Sequence, residues 1–108
     1  MNIHELSAKS EEAAGLLALM ANPHRLRILC ALHKGEHCVS DLEAVVDLSQ
    51  SALSQHLAKL REAGIVTTRR DAQTIYYSVA DERAGRILAV LVDVFCPPSS
   101  LKKRRARK

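Results

Sequence analysis

Leu53, Leu57 and Leu60 recur at spacings of four and three, which commits one face of a helix to a core. The opposite face carries Gln50, Ser51, Ser54, Gln55 and His56, side chains that are short or neutral and that both donate and accept hydrogen bonds. Ser49 stands where an N-cap belongs, its hydroxyl able to accept from an unpaired amide of the first turn. Gly64 stands where a left-handed residue closes the helix. The β-branched and aromatic runs Ile65 to Arg69 and Thr74 to Val79 then predict two strands, joined by a tip of Arg70, Asp71, Ala72 and Gln73.

The pattern upstream is denser. Ser10 to Met20 reads as a helix whose Leu16, Leu17, Leu19 and Met20 are too apolar all round for a surface element. Asn22 caps a second helix with Pro23 at its first position, and Leu26, Ile28, Leu29, Cys30, Ala31 and Leu32 make it a buried one, closed by Lys34-Gly35-Glu36. A short helix from about Val39 to Val46 turns Leu42, Val45 and Val46 inward. The tight Asp47-Leu48-Ser49 turn that follows completes a helix-turn-helix. A last helix, about Asp81 to Phe95, has Ile87, Leu88, Leu91, Val94 and Phe95 on one face and Ala89, Val90 and Val92 on the other. A domain this small cannot bury both faces of its first and last helices, so they predict a two-fold dimer. The expected fold is mainly α with a small β-hairpin, ordered α-α-α-α-β-β-α: a homodimeric winged helix-turn-helix.

A polar helix face alone is usually just solvated. The order is more specific: a short helix, a polar reading face, a glycine stop and an Arg-Arg hairpin. That succession suits double-stranded DNA. Gln50, Ser51, Ser54 and Gln55 are expected at base edges in the major groove, with His56 and Lys59 flanking. Arg69, Arg70 and Gln73 are expected at the backbone or minor groove. A two-fold dimer holding its reading helices about 34–36 Å apart calls for an operator that is an imperfect inverted repeat.

The 108 residues allow one domain, with boundaries expected at 1–98 and a basic tail at 99–108. The net charge of +4 is unevenly placed: the last eight residues, LKKRRARK, hold six of the sixteen basic residues and no acid. Residues 1–100 carry ten basic against twelve acidic residues, a net of −2, so DNA affinity must come from a local stripe and the tail. The tail, after Pro97-Pro98-Ser99-Ser100, is expected to be disordered and to fasten to phosphates or merely to solubilise. There is no Trp, which argues against stacking platforms for single strands. No apolar run is long enough to span a membrane and the start is polar and acidic, which predicts a cytoplasmic protein with reduced thiols. No nucleophile–base–orienter set or Gly-rich phosphate loop is visible, and His4, His24, His33 and His37 show no repeating ligand spacing. Neither enzymatic activity nor a cofactor is expected.

The stretches NPHRLRILCAL, LSQSALSQHLAKLREAGIV and RRDAQTIYYSV resemble the ArsR/SmtB family of bacterial repressors, over about residues 10–96. Their wording is similar to the branch of BigR, SqrR, YgaV and HlyU, which sense persulfide or redox state, and of NolR. The resemblance implies a winged-helix homodimer that represses transcription and whose effector weakens operator binding. Metal-sensing members resemble ELCVCDL at the third helix. Here Glu36-His37-Cys38-Val39-Ser40-Asp41-Leu42 keeps one cysteine, and soft-metal capture needs several converging thiolates. The last helix, site of the other metal set in the family, has no His. No metal is therefore expected.

The dithiol sensors use a cysteine in the second helix and another at the end of the last. Cys30 in RILC and Cys96 in VFCPP match those places, which implies redox sensing by that pair and reactive sulfur or an oxidant as effector. The residues alone rank the thiols otherwise. Cys38 sits at a helix N-cap, where amide dipoles favour a thiolate, Cys30 lies among leucines, and Cys96 sits at an unfavourable helix C-terminus. Two alternatives stay open: a NolR-like regulator without a small effector, and a metal-responsive repressor using Cys38.

Overall fold

The computed structural model describes residues 2–96, so the boundary expected at 98 and the tail at 99–108 lie outside the described residues. The chain runs α1 (Ile3–Ala8), α2 (Ser10–Met20), α3 (Pro23–Lys34), β1 (His37–Cys38), α4 (Val39–Val45), α5 (Gln50–Glu62), β2 (Val66–Asp71), β3 (Thr74–Val79) and α6 (Glu82–Phe95).

Four of the six described helices start on a side chain that answers orphan amides. The Asn22 carboxamide oxygen accepts from the amides of His24 and Arg25 at 2.9 and 3.1 Å, and Pro23 opens α3. The Ser49 hydroxyl accepts from the Ala52 amide at 3.1 Å. Asp81 accepts from the amides of Arg83 and Ala84 and so starts α6. At the far end of α5, Gly64 takes φ +78°. Its amide donates to the Arg61 carbonyl and the Ile65 amide to the Leu60 carbonyl, at 3.0 and 2.9 Å. That is a Schellman ending, with Ile65 and Leu60 both buried.

The core gathers one face from each of α2 to α6 and the base of the wing. Leu16 and Met20 come from α2, Ile28, Leu29 and Leu32 from α3, and Leu42 from α4, with Val46 just after it. Leu53, Leu57 and Leu60 come from α5, Ile65 and Val66 from the wing base, and Ala84 and Leu88 from α6. Burying such an aliphatic side chain contributes about 1.5–3 kcal/mol. The reading helix is thus held from behind.

Several expectations are corrected in detail. Helix α1 has no counterpart in the sequence pattern; Asn2 caps it, accepting from the amides of His4 and Glu5, and none of its residues is buried. The wing has three strands, because His37 and Cys38 pair antiparallel with Tyr77 and Tyr76 to give the order β1-β3-β2. β2 starts at Val66 and extends to Asp71, so Arg70 and Asp71 are strand residues paired with Ile75 and Thr74. Only Ala72 and Gln73 form the turn, and Ala72 takes φ +57° to make it. Val45 points outward, 62% exposed, because α4 is short enough that Leu42 and Val46 fill its buried face. On α6 only Ala84 and Leu88 are fully buried; Val90, Val94 and Phe95 are exposed, since the second half of the helix runs past the core.

Candidate nucleic-acid interface and thiol pair

With Leu53, Leu57 and Leu60 buried, α5 turns Gln50, Ser51, Ser54, Gln55 and Lys59 to the outside, all exposed. Ser54, Ala58, Arg61 and Glu62 line a shallow groove with Tyr77, which sets one flank of the helix beside the wing. His56 lies on the other flank, half-buried. Its Nδ1 accepts from Arg25 Nε at 3.2 Å, and its ring centroid lies 5.8 Å from that of His24. Arg25 also donates through Nη1 to the Leu19 carbonyl, strapping the end of α2 to the reading helix.

A guanidinium only donates, so the accepting nitrogen of His56 is unprotonated. Burial pushes the His56 imidazole below its ordinary pKa, and the charges of Arg25, His24 and Lys59 push the same way. His56 is therefore neutral at pH 7, a buttress of the helix as well as a neighbour of its polar face.

The three wing residues differ in surroundings. Arg69 donates through Nε and Nη2 to the two carboxylate oxygens of Glu36 and lies 4.7 Å from the centroid of the Tyr76 ring. Its hydrogen bonds lower the Glu36 carboxyl below the ordinary range, and Glu36 in turn raises Arg69. Arg70 projects from the other face of β2 and has no ion-pair partner among the described residues. Gln73 is exposed in the turn.

All three cysteines carry free thiols. Cys30 is half-buried on α3, and Cys96 is the exposed C-cap of α6. Burial raises the Cys30 thiol, the nearby Cys96 raises it further, and Lys34 opposes both. Helix α3 packs against α6, so the two cysteines, far apart in the sequence, lie on neighbouring helices. Cys38 occupies the N-cap of α4 as its position suggested, but its sulfur takes no helix amide and lies 3.1 Å from the Ser40 hydroxyl. Among the described residues no group of three or more His, Cys, Asp or Glu is placed to hold a metal ion.

Residues 22–68 match the family described as bacterial regulatory protein, arsR family. The chain is 56% identical to the nodulation protein NolR of Rhizobium meliloti over 86 residues, 80% of this chain and 70% of that protein. It is 45% identical to the biofilm growth-associated repressor of Agrobacterium fabrum over 93 residues, 86% of this chain and 80% of the relative. The chain belongs to the ArsR family. Among solved structures, reduced HlyU from Vibrio cholerae superposes with a TM-score of 0.80 at 42% identity, covering 87% of this chain and 99% of that one.

This ArsR-family chain is a winged-helix, DNA-binding transcriptional regulator, and its relatives are regulators, not enzymes. Among its described residues no helix is long and apolar enough to cross a membrane. Two of its site residues escape a reading of the sequence. Glu36 reads locally as part of a helix stop, and nothing nearby links it to Arg69. Lys34 is the cation whose charge acts on Cys30. Its i+4 spacing on α3 is a signal that could have named it.

Proposed function

We propose that this regulator is a homodimeric repressor, released from its operator when the Cys30–Cys96 dithiol is oxidised by reactive sulfur or another oxidant. The observation that carries the reading is the packing of α3 against α6, the first holding Cys30 behind the reading head and the second ending at Cys96. Joining them with a persulfide as oxidant balances as two thiols plus RSSH giving a disulfide, RSH and hydrogen sulfide. Such a bridge ties α6 to α3, and a coupling of about 1–3 kcal/mol between sulfur chemistry and DNA is enough to empty an operator. That one relative was solved as reduced HlyU supports a redox-dependent member of the family.

In this reading Gln50, Ser51, Ser54 and Gln55 meet base edges of an imperfect inverted repeat. His56 and Lys59 flank them, Arg70 and Gln73 meet the backbone, and Arg69 braces the wing. The exposed Ile3, Leu6, Leu17, Val90, Val94 and Phe95 supply the apolar surface that a two-fold interface buries. The basic tail adds phosphate contacts without sequence preference.

A second reading, a regulator with no small effector, is favoured by the 56% identity to NolR. One experiment separates the two: operator binding of reduced and persulfide-treated protein, with mass spectrometry of the joined cysteines. Persulfide should weaken binding by wild type and by Cys38→Ser, and leave Cys30→Ser and Cys96→Ser unaffected. A Cys30→Ser protein that still responds rejects the dithiol.

A further inference from the structure

Cys30 opens into a groove of about 540 Å³ lined by Leu26, Arg27, Cys30, Ala31, Lys34, His37 and Val45. Its wall is aliphatic, and the 62% exposed Val45 is the residue that the helix pattern sends inward. Its rim is basic. Arg27 and Lys34 stand three before and four after Cys30, which sets all three along one side of α3. No acidic residue lines the groove. His37 lies 3.7 Å from the Asp41 carboxylate; the partner of Arg27 is a ring nitrogen of His24 at 3.4 Å, which leaves the Arg27 charge uncancelled. Two cations with no ion-pair partner among the described residues therefore overlook a thiol at the edge of an apolar trough.

We propose that this groove selects anionic small sulfur donors, with an aliphatic body and an acid group, and that Arg27 and Lys34 are its specificity-determining residues. This rests on the dithiol reading above and adds to it the chemical class of the donor. The body lies along Leu26, Ala31 and Val45 and the acid meets the two cations. The Cys30 thiolate attacks the outer sulfur of R–S–SH; a Cys30 S–S bond forms, the S–S bond of the donor breaks, and R–S⁻ departs. The Cys96 thiolate then attacks the inner sulfur of that persulfide, forming the Cys30–Cys96 bond and expelling HS⁻. Lys34 favours both the attacking thiolate and the departing one. A neutral oxidant shares the favoured thiolate but has no acid group for Arg27 and Lys34 to hold.

The test uses the full-length reduced protein carrying Cys38→Ser and a charge series of methanethiosulfonates. The sulfonatoethyl reagent is anionic and the trimethylammonioethyl reagent cationic; each transfers its RS group to a thiolate and releases methanesulfinate. Rates at Cys30, followed by peptide mass spectrometry, are normalised to those of the same reagents with a free small thiol. The anionic-to-cationic ratio should exceed that of the free thiol by about tenfold at low salt, as expected for a charged cleft. It should shrink as salt screens the rim. Arg27→Gln with Lys34→Gln should return it to the free-thiol value. A wild-type ratio equal to the free thiol, or one indifferent to the double substitution, overturns the assignment. Charge selection in a protein whose operator binding ignores the modification would retire the switch and leave the groove's selectivity standing.

Discussion

Replacing Arg70 and Arg69 by alanine in turn separates a phosphate contact from a brace. Arg70 stands exposed on β2 without an ion-pair partner among the described residues, whereas Arg69 is held by Glu36 and covers Tyr76. Each phosphate contact contributes about 0.9 to the slope of log affinity against log salt. A dimer that loses two such contacts should therefore show a slope shallower by about 1.8 for Arg70→Ala. Over a rise from about 50 to 200 mM salt, wild type should then lose about twelvefold more affinity than this variant. Arg69→Ala should leave the slope close to wild type, because its charge is already met within the wing. Fluorescence anisotropy on labelled operator and random duplexes, across a salt series, measures both slopes. Equal flattening by the two variants would refute the argument, since it would mean that Glu36 does not withdraw Arg69 from the phosphates.

Ser54→Ala or Gln55→Ala should cost about 1–3 kcal/mol on operator and little on random DNA, as befits a lost base contact; equal losses on both duplexes would reject the assignment. Because His56 has a lowered pKa in the folded chain, the stability it contributes is full above its ordinary value near 6.5 and is lost as pH falls through the lowered one. Denaturation midpoints between about pH 7 and 5 should fall more for wild type than for His56→Gln, and parallel curves would refute this. Gly64→Ala should destabilise the domain by about 1–2 kcal/mol by forcing a left-handed alanine, with no steric share because an added Cβ meets nothing within 4 Å. Gly85→Ala, inside α6 and equally unobstructed, should stabilise by about 0.5–1 kcal/mol in the same urea titration. The same sign for both would count against the backbone account.

The sequence by itself determined what is settled within one or two helical turns. The leucines at 53, 57 and 60 fixed the buried face of α5, and with it the polar face that points away. Asn22, Ser49, Asp81 and Gly64 fixed where helices start and stop, because each satisfies or releases amides at most five residues away. Val45, the strand β1 and the inner partner of Arg69 were decided elsewhere. An aliphatic at a helical spacing is buried only if a neighbour covers it, and two residues such as His37 and Cys38 make a strand only when β3 offers its edge. Arg25 reaches His56 across 31 residues and Arg69 reaches Glu36 across 33, distances over which no local pattern carries information. The thiols are the extreme case. Their places could be matched to a family by resemblance, but that they lie on neighbouring helices follows from α6 packing against α3. Charge and thiol chemistry act through space, and only the packing of the helices says which groups share it.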